Sequence, residues 1–258
     1  MLPNISGNDT GSPFSSIKTS TRVTLVYVLG AGHCGSTLMS LALDRHSDIV
    51  SISEIIGLNA KECGWAGSED FRSNPFWALV ATNHLNDYES DFWSVPFASP
   101  PRKPMRHNDK WGSENNKALL SIAKTAGASI VVDASKQPRR LEAMLQAGLA
   151  DVRVVYLVRD ARAVVHSYDR KYSSLRRGFR QVKRLDRRAR SIKRRFPTVP
   201  WLSLRYEDMT NDFTGTIKRI CDFCGVGFQE DMLRPDPNSF IGIGGNRLRN
   251  KPFKGVLT

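Results

Sequence analysis

The stretch VYVLGAGHCGSTLMSLAL, residues 26–43, decides the fold. It opens inside an apolar, β-branched run, RVTLVYVL (22–29), of the kind that forms a strand buried on both faces. A glycine-rich loop follows, and STLMSLALDRH (36–46) continues as a helix. A strand, a tight glycine loop and a helix N-terminus together make a phosphate site, because the loop and helix present backbone N–H groups to an anion. The identity of the phosphate is less plain. Gly30, Gly32 and Gly35 spell G-x-G-x-x-G, the dinucleotide pattern, while Gly30 to Thr37 has the spacing of G-x-x-x-x-G-K-[ST], the triphosphate loop. Ser36 stands where that second pattern needs its lysine.

Outward from this loop, strand and helix alternate. DIVSISEI (48–55), ASIVVDASK (128–136), VRVVYLVRD (152–160) and PWLSLRYED (200–208) read as further strands. Helical stretches separate them, among them PRRLEAMLQAGL with Pro138 in its first turn, ARAVVHSYDRKY, and FTGTIKRICDFCG. Without a hairpin signal, this order predicts an α/β fold: a three-layer, mostly parallel five-stranded sheet flanked by helices. Residues 1–21 read as a flexible polar tail and 22–258 as a single domain. An irregular insertion at about 57–113 reads as a lid or acceptor wall, with Trp65, Phe76, Trp77, Phe92 and Trp93 to line a small-molecule pocket. Ligands of such sheets bind at the carboxyl ends of the strands. Polar residues collect at those ends: the 30–37 loop, Glu54, Ser135 with Lys136, and Arg159 with Asp160.

Composition narrows the classes. The chain has 258 residues, 40% of them hydrophobic and 24% charged, as in ordinary globular proteins. No apolar run approaches the ~18 residues of a membrane span, and the N-terminus lacks a secretory signal's basic and apolar regions, so a cytoplasmic protein is expected. Four cysteines do not make a disulfide framework. Cys221 and Cys224 form a C-x-x-C, but with Ile217 and Ile220 they share one helical face, and nothing completes a metal site; they read as buried thiols. The net charge is +13, and residues 170–195 hold 13 Lys/Arg against one acid, Asp186. Phe179, Val182, Leu185, Ala189, Ile192 and Phe196 recur there at helical spacing, which predicts an amphipathic helix with a basic outer face. That face is either solvated or a funnel for an anionic cofactor or acceptor. No nucleic-acid recognition motif accompanies it.

Three readings of the loop compete. For a dinucleotide, Glu54 lies at the end of the second strand, where an acid would hold a ribose, but Ser36-Thr37 suit close phosphate contact better. A nucleotide kinase or NTPase needs the absent lysine and a Mg²⁺ bridge, for which Asp133 in IVVD would have to serve. The third reading drops the metal. Loop amides and the Ser36 and Thr37 hydroxyls hold a single 5′-phosphate; if the group is a phosphosulfate, side-chain cations suffice. A second anion site is then required. Arg159 at a strand exit and Ser167, eight residues on in the following helix, can converge on one phosphate.

At this point the sequence resembles the sulfotransferases that use PAPS (3′-phosphoadenosine 5′-phosphosulfate). In that family the loop reads like RSGST or KSGTT, and a later strand runs into Arg, a turn and a helix carrying Ser, as in VVYLVRDARAVVHSYDRK (154–171). WLSLRYEDM with IKRICDFCGVGF resembles the family's later strand and helix, and GGNRLRN (244–250) its C-terminal phosphate-contacting segment. Motif spacing is closest to tyrosylprotein-type and bacterial members. The resemblance implies a P-loop nucleoside-triphosphate-hydrolase-like fold and metal-free in-line sulfuryl transfer from PAPS, with PAP as product. The acceptor would be a hydroxyl or amine, on a small and possibly anionic metabolite.

Residue by residue, the resemblance implies that Gly32, His33, Cys34, Gly35, Ser36 and Thr37 bind the 5′-phosphosulfate. Arg159 and Ser167, with Arg249, would take the 3′-phosphate, and Tyr206 would lie near the adenine. Arg162 is a second phosphate contact or a structural residue. Glu54, 21 residues past His33, matches the family's base, and Lys136 its stabiliser of the bridging oxygen. The departure is His33, where the family carries Arg or Lys. Histidine holds a full charge at neutral pH only if a bound anion raises its pKa. A non-catalytic polyanion-binding module built on residues 170–195 is the competing class.

Overall fold

The structure is a computed structural model that describes residues 22–58, 71–100 and 108–244. The N-terminal tail, Trp65 and Arg249 lie outside the described residues.

The five strands are β1 (Thr24–Gly30), β2 (Ile49–Ser53), β3 (Ile130–Asp133), β4 (Asp151–Val158) and β5 (Trp201–Arg205). They form one sheet in the order β2-β3-β1-β4-β5, every pair parallel. β1 is central and wholly apolar on both sides, as its unbroken hydrophobic run demands. Its even positions, Val26 and Val28, face a core formed with Met39, Leu43, Ile217 and Ile220. Its odd positions, Leu25, Tyr27 and Leu29, face a second core formed with Trp77, Leu119, Leu141, Val164 and Ile192. Helices α1 (Ser36–Leu43), α7 (Tyr206–Asn211) and α8 (Phe213–Cys224) supply the first face. Helices α2 (Pro75–Tyr88), α3 (Asn108–Ala126), α4 (Pro138–Ala147), α5 (Ala161–Tyr172) and α6 (Leu175–Arg195) supply the second. The result is a three-layer α/β fold.

Local chemistry starts and stops these helices where the sequence says it should. Asn74 caps α2, accepting from the Phe76 and Trp77 amides, ahead of Pro75. Asp160 caps α5 and Asp212 caps α8 through their carboxylates. Gly148 and Gly225 end α4 and α8 in the left-handed conformation.

Three expectations need correction. The strand read through Asp208 ends at Arg205, and the chain turns at once into α7. Trp77 and Phe92 are fully buried, and the Trp77 indole donates to the Ile241 carbonyl at 3.1 Å, so these two aromatics build core rather than a pocket wall. The basic stretch is divided: α5 runs to Tyr172, Ser173 takes a left-handed conformation, and α6 begins after Ser174. On α6 the buried residues are Gly178, Leu185, Ala189 and Ile192, while Phe179 is 61% exposed. Phe179 sits one position past the stripe that Gly178 already fills.

Candidate active site

The chain leaves β1 toward β2 on one side and leaves β3 toward β4 on the other, so the sheet's switch point lies between the ends of β1 and β3. The residues that bear chemistry meet there. Lys136, three residues past β3, donates from Nζ to Glu54 Oε1 at 2.5 Å, to Ser36 Oγ at 3.2 Å and to the Ala134 carbonyl at 3.0 Å. Those three bonds use all three ammonium protons and tie the ends of β1, β2 and β3 to one another. Glu54 is 6% exposed. Its second oxygen, Oε2, is buried without a hydrogen-bond partner among the described residues. The Glu54 amide donates to the Ile243 carbonyl at 2.8 Å, and Ile243 bridges Ser53, so the 243–244 segment runs beside the edge of β2 and against the Glu54 side chain.

Backbone strain is concentrated at these strand ends. Of the five non-glycine residues with positive φ among those described, three belong to the site: His33 (65°), Ser53 (51°) and Lys136 (58°). Each sits in a region that costs an L-residue about 1–2 kcal/mol. The register shift between Ser51 and Ser53 marks the bulge from which Glu54 departs. Nothing in the sequence signals these turns, because none of the three is glycine. Beneath Lys136, the Tyr27 hydroxyl both accepts from the Gln137 amide and donates to its carbonyl, each at 3.0 Å. Asp133 Oδ1 holds the Ser135 amide at 2.8 Å.

The loop itself is braced from β4. Arg159 Nη1 donates to the His33 carbonyl at 2.8 Å, and its guanidinium lies 4.3 Å from the centre of the Tyr206 ring. Tyr206 packs on Gly35, where a Cβ would fall 2.3 Å from the ring; with φ of 98°, this position requires glycine twice over. Gly32 lies under the Tyr168 hydroxyl, where a Cβ would approach to 2.4 Å. The His33 ring stands edge-on to Tyr168 at 5.1 Å and tilted to Tyr172 at 6.2 Å. Burial, then the positive charges of Lys171, Lys136 and Arg159, hold its pKa below the usual imidazole range. Both effects favour the neutral form of its ring.

Cys34 turns its thiol into the apolar core, where burial raises its pKa, and its amide donates back to the Ala31 carbonyl. Ser36 and Thr37 open α1. Ser167 is half-buried on α5, next to Tyr168. Arg162 points outward, 93% exposed, and pairs with the carboxylate of Asp160. Asp133, the residue a metal-dependent kinase would need, is fully buried in an ion pair with Arg140 at 2.8 Å. It is not available to a metal. The partner Arg140 is a residue that sequence reasoning missed; its spacing of seven from Asp133, across a Pro-initiated helix, was the signal. Cys221 and Cys224 are buried free thiols, pushed by burial to pKa values of about 11 and about 12.

Among the described residues, no helix is long and apolar enough to cross a membrane. No curated protein sequence matches this chain. Solved structures do. The sulfotransferase domain of the Synechococcus PCC 7002 olefin synthase aligns over 92% of this chain and 85% of its own, with a TM-score of 0.56 and 16% identity. The sulfotransferase domain from the curacin biosynthetic pathway aligns over 83% and 78%, at 0.55 and 15%. Sulfotransferase STF9 from Mycobacterium avium aligns over 82% and 66%, at 0.53 and 15%. At such identities the likeness is one of fold. The sequence profile described as the sulfotransferase family goes further, matching residues 26–230, from the middle of β1 to beyond α8 and across every strand-end residue above except the 243–244 segment. The chain belongs to the sulfotransferase family.

Proposed function

We propose that the protein transfers a sulfuryl group from PAPS to a hydroxyl or amine of a small acceptor. The observation that carries this reading is the joining of Lys136, Glu54 and Ser36 at the switch point, beside a loop at a helix N-terminus. The donor set fits a phosphosulfate: an ammonium, a hydroxyl and first-turn amides that a helix leaves without intrahelical acceptors. Gly32, His33, Gly35, Ser36 and Thr37 would hold the 5′ end, Cys34 supporting the turn through its backbone. Arg159 and Ser167 would take the 3′-phosphate, with Arg249, and Tyr206 would serve by fixing Arg159 and Gly35. PAPS would supply the sulfuryl group and a phosphate leaving group.

The residues divide the remaining work. Glu54 accepts the acceptor's proton through Oε2, the carboxylate oxygen that has no donor. Lys136 moves from Glu54 to the charge that develops on the leaving oxygen, and Ser36 follows it as a hydroxyl donor. His33 gains a proton as anionic charge enters the loop. The family resemblance puts Arg or Lys at this position, and His33 meets the same need with a charge that exists only in the loaded state.

The reading is tested by ligand-dependent thermal stability. Adenosine 3′,5′-bisphosphate should raise the melting temperature, whereas ATP and NADH should not, because only a ligand selective for the native state stabilises it. Stabilisation by ATP with Mg²⁺ alone, or by heparin alone, would overturn it.

A further inference from the structure

The basic helix is not a uniformly solvated face. At its N-terminal end, Ser174, Arg176, Arg177, Arg180, Gln181 and Arg184 line a shallow concavity of about 400 Å³. Ion pairing on α6 lies elsewhere: Asp186 pairs with Arg190, and Arg195 pairs with Glu142 on α4. Among the described residues, no carboxylate forms an ion pair with Arg176, Arg177, Arg180 or Arg184. Four guanidinium groups around one hollow form a site of high positive potential, matched in geometry to phosphate, sulfate or carboxylate oxygens.

This hollow adjoins the candidate active site through one side chain. The Arg177 guanidinium lies 4.3 Å from the centre of the Tyr172 ring, and the same ring stands 6.2 Å from His33. The Tyr172 ring thus bridges the phosphate loop and the arginine hollow. These two contacts put Arg177 within reach of a small molecule whose accepting group lies beside His33. The positive charge of Lys171, which also lies over the Tyr172 ring, reinforces the same edge.

We infer that the α6 hollow is an acceptor subsite, and that the acceptor carries an anionic group in addition to the hydroxyl or amine that receives sulfate. This rests on the sulfotransferase reading and adds the charge class of the substrate. It also gives a cause for the concentration of 11 Lys/Arg against one acid on α6 beside the site, where they raise the local concentration of an anionic substrate.

The experiment uses the full chain and the double variant Arg176→Ala/Arg180→Ala, whose exposed side chains leave the core untouched. With adenosine 3′,5′-bisphosphate saturating, inorganic pyrophosphate is titrated in by calorimetry. It should bind the native protein and bind the variant roughly tenfold more weakly, the loss of charge-assisted contacts at a partly solvated site. Labelled PAPS is then offered with phenols and alcohols in matched pairs, neutral and phosphate- or carboxylate-bearing. The native protein should favour the anionic member, and the variant should lose that preference through KM with kcat unchanged. No pyrophosphate binding once the donor site is filled, or equal use of neutral and anionic acceptors, would overturn the subsite. So would an Arg176/Arg180 dependence confined to heparin, nucleic acid or anionic vesicles. Failure of the native protein to bind adenosine 3′,5′-bisphosphate would bring down the sulfotransferase reading itself, and so separates the two failures.

Discussion

Glu54 keeps one carboxylate oxygen on Lys136 and buries the other without a donor. A buried carboxylate oxygen left unpaired is costly, and the proposed proton transfer supplies a reason for this one. Replacing Glu54 with Gln preserves shape and removes the base, so kcat should fall by about 10²–10⁴ while adenosine 3′,5′-bisphosphate binds as before. Steady-state rates and calorimetry on one preparation decide this; full activity in Glu54→Gln would remove the base assignment. His33 gives a second prediction, in pH. Its pKa is depressed in the free protein by burial and three nearby cations, and a bound anion pushes it up. Between the free and bound values, binding takes up a proton, so the His33 contribution to affinity for adenosine 3′,5′-bisphosphate should grow as pH falls from 8 to 6. The ligand's own phosphates titrate near 6, and because a cationic site prefers their dianionic form, their protonation opposes this slope. His33→Gln isolates the side chain: the gain in affinity toward low pH should be smaller or reversed in the variant, and equal slopes would exclude a titrating His33.

Helix pairing shows which parts of the design a sequence displays and which it conceals. α5 and α6 cross at Gly178, where a Cβ would fall 2.8 Å from the Val165 Cα and 3.0 Å from the Tyr168 Cβ. Alanine there gains about 1 kcal/mol of helix propensity but forces apart two backbones, and overpacking of this kind costs about 1–3 kcal/mol. Gly178→Ala should therefore lower the urea midpoint. It should also weaken adenosine 3′,5′-bisphosphate, because Tyr168 moves with α5 and its hydroxyl covers Gly32. A variant of unchanged midpoint would show that the helices can part freely. The apolar face of residues 179–196 was legible by period, yet Phe179 lies outside it, because Gly178 leaves room that a periodic pattern of large residues does not register. The strand order of chemistry was legible too: hydrophobic runs ending in Gly30, Glu54, Lys136 and Arg159 needed only the rule that such ends converge. What could not be read was conformation carried by ordinary residues. His33, Ser53 and Lys136 hold left-handed backbones that tertiary contacts impose. Trp77 and Phe92 looked like pocket aromatics, since burial in an inserted segment depends on contacts, such as that with Ile241, distant in sequence.

One buried network couples the insertion to the chemistry across the whole molecule. Arg140 on α4 is fully buried and pairs with Asp133 at the end of β3; its Nη1 donates to the Phe97 carbonyl in the insertion and to Asn115 Oδ1 on α3, each at 2.7 Å. Trp111 flanks the guanidinium at 5.5 Å. Removing one partner of such a pair strands a charge away from water, at about 3–5 kcal/mol, whereas replacing both with apolar groups is often close to neutral. Arg140→Met alone should then lower the melting temperature by roughly 10 °C, at about 2–4 °C per kcal/mol for a domain of this size. Asp133→Leu/Arg140→Met should recover only part of that loss, because the Phe97 carbonyl, Asn115 Oδ1 and the Ser135 amide are left without these partners. Activity should not follow. Asp133 Oδ1 also holds the Ser135 amide, one residue before the strained Lys136, and leucine cannot. The double variant should be more stable than Arg140→Met yet transfer sulfate at a reduced kcat, with binding of adenosine 3′,5′-bisphosphate less affected than turnover. Recovery of rate along with stability would show that the Asp133–Arg140 pair serves the fold alone, and that Lys136 keeps its place through Tyr27 and Ala134 without it.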